Sequence, residues 1–352
     1  MLLFEQNWLG AILRILISFG AIFGVLVYMM VWAERKISAW IQDRIGPNRV
    51  GPFGLLQGLA DGIKFIFKEE IKPQNCHRFL YTLAPFLAVF PAVLAFGVVP
   101  FGAREIGGEI KPLVVADIDA GILFTLSIAS LGVFSILLAG WSSNSKYPVI
   151  GGLRAGAQVI SYEVPMGLAV LAVLLLAGSA RLSDIVTMQN THGWFLFLCP
   201  LGFFVFLSSI FAETNRLPFD LPEGETEIVG YHAEYSSMKF AMFFMAEYAN
   251  MITVSCLTVL MFFGGWEFLP FCGWNQVSTF LGRSIYADPI LWLVPTIWFC
   301  LKVFFFLFLF IWVRWTLPRF RYDQLMALSW KKLIPIGVVN LVTTIILVTK
   351  LS

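Results

Sequence analysis

Apolar runs recur along the chain at near-regular intervals, each long enough to matter in a bilayer. They occupy residues 10–33, 79–102, 118–141, 155–178, 194–212, 238–265, 289–313 and 333–350. A helix needs about 20 mostly apolar residues to cross a hydrocarbon core of roughly 30 Å. The pattern therefore predicts an all-α integral membrane protein of about eight transmembrane helices, forming one polytopic domain over residues 1–352. Trp8, Trp32, Trp141, Trp194, Trp266, Trp315 and Trp330 lie near the predicted ends, where an aromatic belt would place them. One stretch, about 53–68, has a different period. Leu55, Leu56, Leu59, Ile63, Ile66 and Phe67 fall on one helical face, and Gln57, Asp61, Lys64 and Lys68 on the other. That is an amphipathic helix lying at the membrane surface.

Composition agrees: 59% of the residues are hydrophobic and only 13% charged, against about 25% charged in a soluble domain. Charge distribution adds an orientation. Segments 34–78, 142–154, 213–239 and 314–332 hold seventeen Lys and Arg, whereas the opposite segments and the tail hold five. Basic loops stay on the cytoplasmic or matrix side, so both termini are expected on the other, periplasmic or intermembrane side. The five cysteines are widely spaced with no CxxC, and the three histidines are scattered. Neither pattern suits an iron–sulfur cluster, structural zinc or a disulfide framework. The start of the chain has no cleavable-signal pattern.

Two polar segments are too structured to be simple linkers. Ile45-Gly46-Pro47 and Gly51-Pro52 carry turn chemistry just before the amphipathic helix. Phe211–Tyr235 carries Glu213, Asp220, Glu223, Glu225, Glu227 and Glu234 against a single Arg216, a net charge of −5. Pro218, Phe219, Leu221, Pro222, Ile228, Val229 and Tyr231 are interleaved with those carboxylates, which points to a packed rather than a solvated acidic loop. Carboxylates crowded in low dielectric cannot all ionise and can hold protons near neutrality. A basic partner surface is the competing use for such a loop.

Three charges fall deep inside apolar runs, Glu163, Glu247 and Lys302, whereas Arg14 lies near enough to an end to snorkel. A charge at that depth costs a few kcal/mol or more, so each is a functional candidate. Glu163 and Glu247 are expected to be neighbours by depth. The structural alternative is a buried ion pair such as Glu247 with Lys302.

Four blocks then identify a family. AERKISAWIQDRIGPNRVGPFGLLQGLADGIKFIFKE, SNSKYPVIGGLRAGAQVISYEVPMGL, FAETNRLPFDLPEGETEIVGYHAEYSSMKFAMFFMAEY and RWTLPRFRYDQLMALSWKKLIP, with the eight runs, cover essentially the whole chain. The sequence resembles the membrane subunit 1 family (the H subunit in bacteria) of respiratory complex I, the proton-pumping NADH:quinone oxidoreductase. The resemblance implies a place where the membrane arm meets the peripheral arm, in a bacterial or mitochondrial inner membrane. It implies ubiquinone or menaquinone entering by a tunnel between the helices. Flavin and iron–sulfur clusters would lie in other subunits, with no metal held here. Partners would be peripheral-arm subunits of the quinone module, adjacent small membrane subunits and lipid, and no nucleic acid. By position, Glu34, Arg35, Asp61, Lys64, Phe244 and Lys302 would line the tunnel. Glu163, Glu213, Glu223, Glu225, Glu227, Glu234 and Glu247 would form an acidic proton path. Arg216, Arg314, Arg319 and Arg321 would lie at the arm interface. The run Glu227-Ile228-Val229-Gly230-Tyr231 is one residue shorter than the family pattern, which bears on where Glu234 sits.

Two rival classes share these features. A stand-alone proton or cation transporter should carry paired broken helices in related halves, but span prolines such as those at 85, 91, 165 and 295 show no such symmetry. A membrane anchor of a hydrogenase-type complex is the other, and the subunits that copurify would separate it.

Overall fold

The computed structural model describes residues 10, 13, 20–106, 109–220, 230–268, 270, 274, 285, 286, 288 and 291–351. A wide-turned helical stretch, Gly20–Leu26, runs into α1 (Val27–Ile41). A short turn at Pro52–Gly54 leads to α2 (Gln57–Phe67). Then come α3 (Arg78–Phe96), the hairpin β1 (Ala103–Ile106) and β2 (Glu109–Pro112), α4 (Gly121–Ser142) and α5 (Lys146–Ala177). They are followed by α6 (Leu182–His192), α7 (Phe195–Leu198), α8 (Pro200–Glu213), α9 (Ser237–Phe262) and α10 (Leu293–Thr316). The short α11 (Tyr322–Leu328) passes through the turn Ser329–Leu333 into α12 (Ile334–Leu351).

Among the described residues six helices are long and apolar enough to cross a membrane: α3, α4, α5, α9, α10 and the continuous Tyr322–Lys350 segment. The fifth predicted run is filled by α7 and the shorter apolar α8. The first, 10–33, lies partly outside the described residues, and its visible part leads into α1. The central helix is α9, with 72% of its apolar window buried, against 28% for α4 and α10. It packs on α1, α2, α3, α6, α8 and α10. The outward faces of the other helices stay apolar, for example Phe304, Phe305, Phe308 and Trp312 on α10. Lipid accepts such a surface where water would not. Close approach of α4 and α5 depends on glycine: a Cβ at Gly140 would sit 2.5 Å from the Pro148 carbonyl oxygen.

Several boundaries differ from the sequence expectations. Residues 146–154, read as loop, are the first turns of α5, and Pro148 sits there without cost because early helical N–H groups have no partner in the helix. The polar segment 103–119 contains the β1–β2 hairpin, paired from Ala103↔Pro112 to Ile106↔Glu109, and 179–193 contains α6. The fifth span breaks at Cys199, whose backbone is non-helical because Pro200 starts α8 and donates no hydrogen bond. The last helix begins at Tyr322, inside a stretch read as loop. Trp266 is 3% exposed, packed in the core rather than at an interface. We call the end bearing α2 the loop-rich end and the opposite one the hairpin end.

Candidate functional site

Helix α2 lies across the loop-rich end with its apolar face turned outward: Leu59, Ile63, Ile66 and Phe67 are all more than half exposed. Specific bonds hold it there. The Tyr28 hydroxyl donates to the Leu55 carbonyl, Trp32 Nε1 donates to the Phe53 carbonyl at 3.1 Å, and Ser237 Oγ donates to the Phe65 carbonyl at 2.9 Å. Gly58 lets α2 approach α1, since a Cβ there would meet the Tyr28 ring at 2.8 Å.

Between α1, α2 and α9 the fold leaves a cleft of about 570 Å³. Its walls are mostly apolar, with Ile63, Ile66, Phe240, Phe244 and Met245 among them, and its polar lining is Tyr28, Arg35, Asp61 and Tyr248. Arg35 pairs with Asp61, and Gln57 Nε2 donates to Asp61 Oδ1 at 3.1 Å. A second cavity, about 610 Å³, shares Arg35 and Tyr248 with the first and is lined by Glu34, Ser38, Arg44, Gln57, Arg314 and Trp315. A long apolar wall leading to a charged, hydrogen-bonding end suits an amphiphile with a greasy tail and a polar head.

Glu34 closes the polar end. Only 9% of its side chain is exposed, and it pairs with Arg314 and, at 3.4 Å, with Arg216. The Arg216 guanidinium lies over the Tyr248 ring, 4.6 Å from its centre, and its Nε and Nη2 are buried without a hydrogen-bond partner. Burial alone would lower its pKa, but Glu34, Tyr248 and Glu247 together more than offset this and keep the group cationic.

Beyond Arg216 lies a small polar cavity of about 50 Å³, bordered by Glu213, Asn215, Tyr231, Glu247 and Asn250. That is room for a water molecule or two, with polar partners to hold them. The Tyr231 hydroxyl donates to Glu247 Oε1 at 3.2 Å. Glu213 and Asn250 also border a second small void with Thr253 and Met166. Buried oxygens of Glu213 and Glu163 have no hydrogen-bond partner, and Glu163 sits beside Ser130, within electrostatic range of Glu213. Gln158, fully buried, ties down the turn that follows α8: the two N–H groups of its amide are shared among three acceptors, the carbonyls of Ala212 and Phe219, each at 2.9 Å, and Asn215 Oδ1 at 3.2 Å.

The structure thus gathers Glu34, Arg35, Asp61 and Phe244 at adjoining cavities, and Glu213 and Glu247 at a third. Other expected members fall elsewhere. Lys64 is 76% exposed and approaches Asp61 only at 3.9 Å. The Lys302 ammonium is at the hairpin end on the backbone carbonyls of Phe263, Gly265 and Glu267, so neither the tunnel position nor a pair with Glu247 holds. Arg216, expected at a subunit interface, is buried against Glu34, and Arg314, expected there too, pairs with Glu34 while staying 38% exposed. Arg319 pairs with Asp220 and Arg321 with Asp323 at the surface. Glu234 offers its backbone carbonyl to Tyr81 and lines none of these cavities. Glu223, Glu225 and Glu227 lie outside the described residues. Tyr248, Asn250, Asn215 and Gln158 are additions to the sequence-based set, and Tyr231, expected only to pack, also takes part. Buried neutral polar residues inside apolar runs were the available signal for Gln158 and Asn250. Among the described residues no group of three His, Cys, Asp or Glu side chains could hold a metal ion.

A family model described as NADH dehydrogenase matches residues 13–345. The chain belongs to this family. Similar curated proteins include the NADH-quinone oxidoreductase H subunit 2 of Koribacter versatilis, 51% identical over 97% of this chain and 97% of that protein. The corresponding H subunit of Leptospira biflexa is 51% identical over 89% of this chain and 87% of its own length. The H subunit 1 of Geobacter metallireducens is 48% identical over 94% of each. Membership in the NADH dehydrogenase family accords with six apolar helices and makes this a multi-pass membrane protein.

Proposed function

We propose that this chain is the membrane subunit of an NADH-quinone oxidoreductase complex, and that the cleft between α1, α2 and α9 is where the quinone enters. The observation that carries the reading is the cleft itself: apolar along α2 and α9, ending at Arg35, Asp61 and the adjoining Glu34. The apolar walls take an isoprenoid tail, and the charged end faces the headgroup. The loop-rich end is then the cytoplasmic or matrix side, where seventeen Lys and Arg gather. The chain supplies binding and proton handling, and electrons reach the quinone from other subunits.

The coupling follows from charge. Reduction of a quinone takes up two protons, which changes the charge near Arg35, Asp61 and Glu34. Arg216 lies between Glu34 and the Glu213–Glu247 cavity, and its electrostatic contacts include both Glu34 and Glu247. A change on one side of this guanidinium alters the stability of charge on the other. Replacing Phe244 by Ala in the intact complex tests the cleft. The Michaelis constant for quinone should rise while the amount of assembled complex stays constant, and an unchanged constant would remove the quinone from this cleft.

A further inference from the structure

Lys302 is the buried cation that the cleft does not use. Helix α9 ends at Phe262, and the chain turns back through Gly264 (φ 68°) and Gly265 (φ 53°), both in the left-handed region that favours glycine. Space is as restrictive as conformation. A Cβ on Gly264 would meet Trp194 Nε1 at 2.9 Å, and one on Gly265 would meet Val186 Cγ2 at 2.7 Å. The turn is held from α6 by Gln189, whose Oε1 accepts from the Gly264 N–H at 2.9 Å and whose Nε2 donates to the Leu260 carbonyl at 2.7 Å.

This geometry brings three carbonyl oxygens to one point. Lys302 Nζ donates to Phe263, Gly265 and Glu267 at 2.8, 3.0 and 2.7 Å. Three acceptors require three N–H groups, which an ammonium has and a neutral amine lacks. The indole rings of Trp194 and Trp298 lie 5.1 and 5.9 Å away, close enough for their faces to stabilise a cation. The Glu267 side chain is the near counter-charge. It is 8% exposed, and both its oxygens accept bonds, from the Tyr286 hydroxyl at 2.9 Å and the Trp274 N–H at 3.0 Å. A cavity of about 550 Å³ reaches Glu267 from the hairpin end, lined also by Ser183, Thr187 and Asn190.

We infer that the turn after α9 is a built site for a primary ammonium ion, and that Lys302 is its tethered occupant. The site pins α10 to the hairpin end of α9. Twelve residues further along α10, about 18 Å by helical rise, Arg314 pins the same helix to α1 through Glu34. The inference is independent of what binds in the cleft.

The test uses the intact complex. Lys302→Ala empties the site and leaves the carbonyls and Glu267 without their cation, so the thermal midpoint of the complex should fall by about 5 °C or more. Methylammonium or ethylammonium should restore it saturably, because each carries three N–H donors. Tetramethylammonium at equal ionic strength should not, because it has none. An unchanged midpoint, no rescue by either primary ammonium, or equal rescue by tetramethylammonium would overturn the inference. Should Lys302→Ala fail to assemble, Lys302→Met and Lys302→Met/Glu267→Gln decide. Removing both charges should recover complex that removing the ammonium alone loses, since a lone buried carboxylate is the costlier state. A double variant as poor as the single would equally overturn it.

Discussion

The carbonyl cage around Lys302 at the hairpin end and the acidic cavities at the loop-rich end handle buried charge in opposite ways. In the cage Lys302 is matched by three carbonyls and Glu267 by two donors, while nearer the surface Arg181 pairs with Asp117 through two hydrogen bonds and Asp288 keeps one buried oxygen without a partner. At the loop-rich end buried oxygens of Glu163 and Glu213 and two nitrogens of Arg216 have no partner, and the charges border cavities. Satisfied charge holds a structure in one state, because any other arrangement loses bonds. Unsatisfied charge beside a cavity carries less of that restraint and responds to what enters. The contrast separates the part of the molecule that fixes geometry from the part that can sense a change in charge.

The strongest way to break this comparison is at Glu34. Glu34→Ala leaves the buried Arg216 without its carboxylate, and breaking a buried pair this way costs about 3–5 kcal/mol. Assembled complex, measured in native membranes, should fall sharply, and quinone reductase activity should fall with it. Phe244→Ala comes next. Losing a ring from the cleft wall removes about 1–2 kcal/mol of apolar contact, so the Michaelis constant for quinone should rise about 5- to 30-fold with turnover little changed. Glu247→Gln should spare assembly and lower coupled proton movement about tenfold or more, read as pumping at a matched rate of quinone reduction. Full pumping in that variant would sink the proposed link.

Smaller effects sharpen the other side. Arg181→Met removes a half-exposed ion pair worth about 0–1 kcal/mol, so the quinone constants should not move and the thermal midpoint should shift only slightly. Glu70 gives the mildest effect. Its bond from Lys239, at 2.6 Å, holds the carboxyl below its ordinary 4.5. A depressed carboxyl contributes stability that is present above its unfolded pKa and lost as pH falls through its folded value. Hydrogen exchange of the segment around residues 69–72 should therefore quicken below about pH 4.5, and Glu70→Gln should flatten that dependence.

Much of the fold was legible because long apolar runs admit few other readings in a bilayer. The parts that were not legible are short or polar: the β1–β2 hairpin, α6, and the first turns of α5. The break at Cys199 does have a direct signal, since Pro200 lies inside an apolar run. The cleft was legible through family blocks that put Glu34, Arg35, Asp61 and Phe244 on three different elements. Lys302 was misplaced because depth along a helix does not say which way a four-carbon stem reaches. Arg216 sits in a charged stretch that reads as surface, yet residues 212–219 turn inward onto Gln158 and Glu34.

The central claim is that quinone occupies the cleft between α1, α2 and α9. The most direct measurement is photo-crosslinking of the intact complex with a light-activated short-chain quinone analogue, followed by peptide mapping of this chain. Quinone in this cleft should give adducts within residues 57–67 and 238–248, suppressed by excess unlabelled quinone. Adducts confined to the hairpin end, or competable labelling that leaves both segments unmarked, would contradict it.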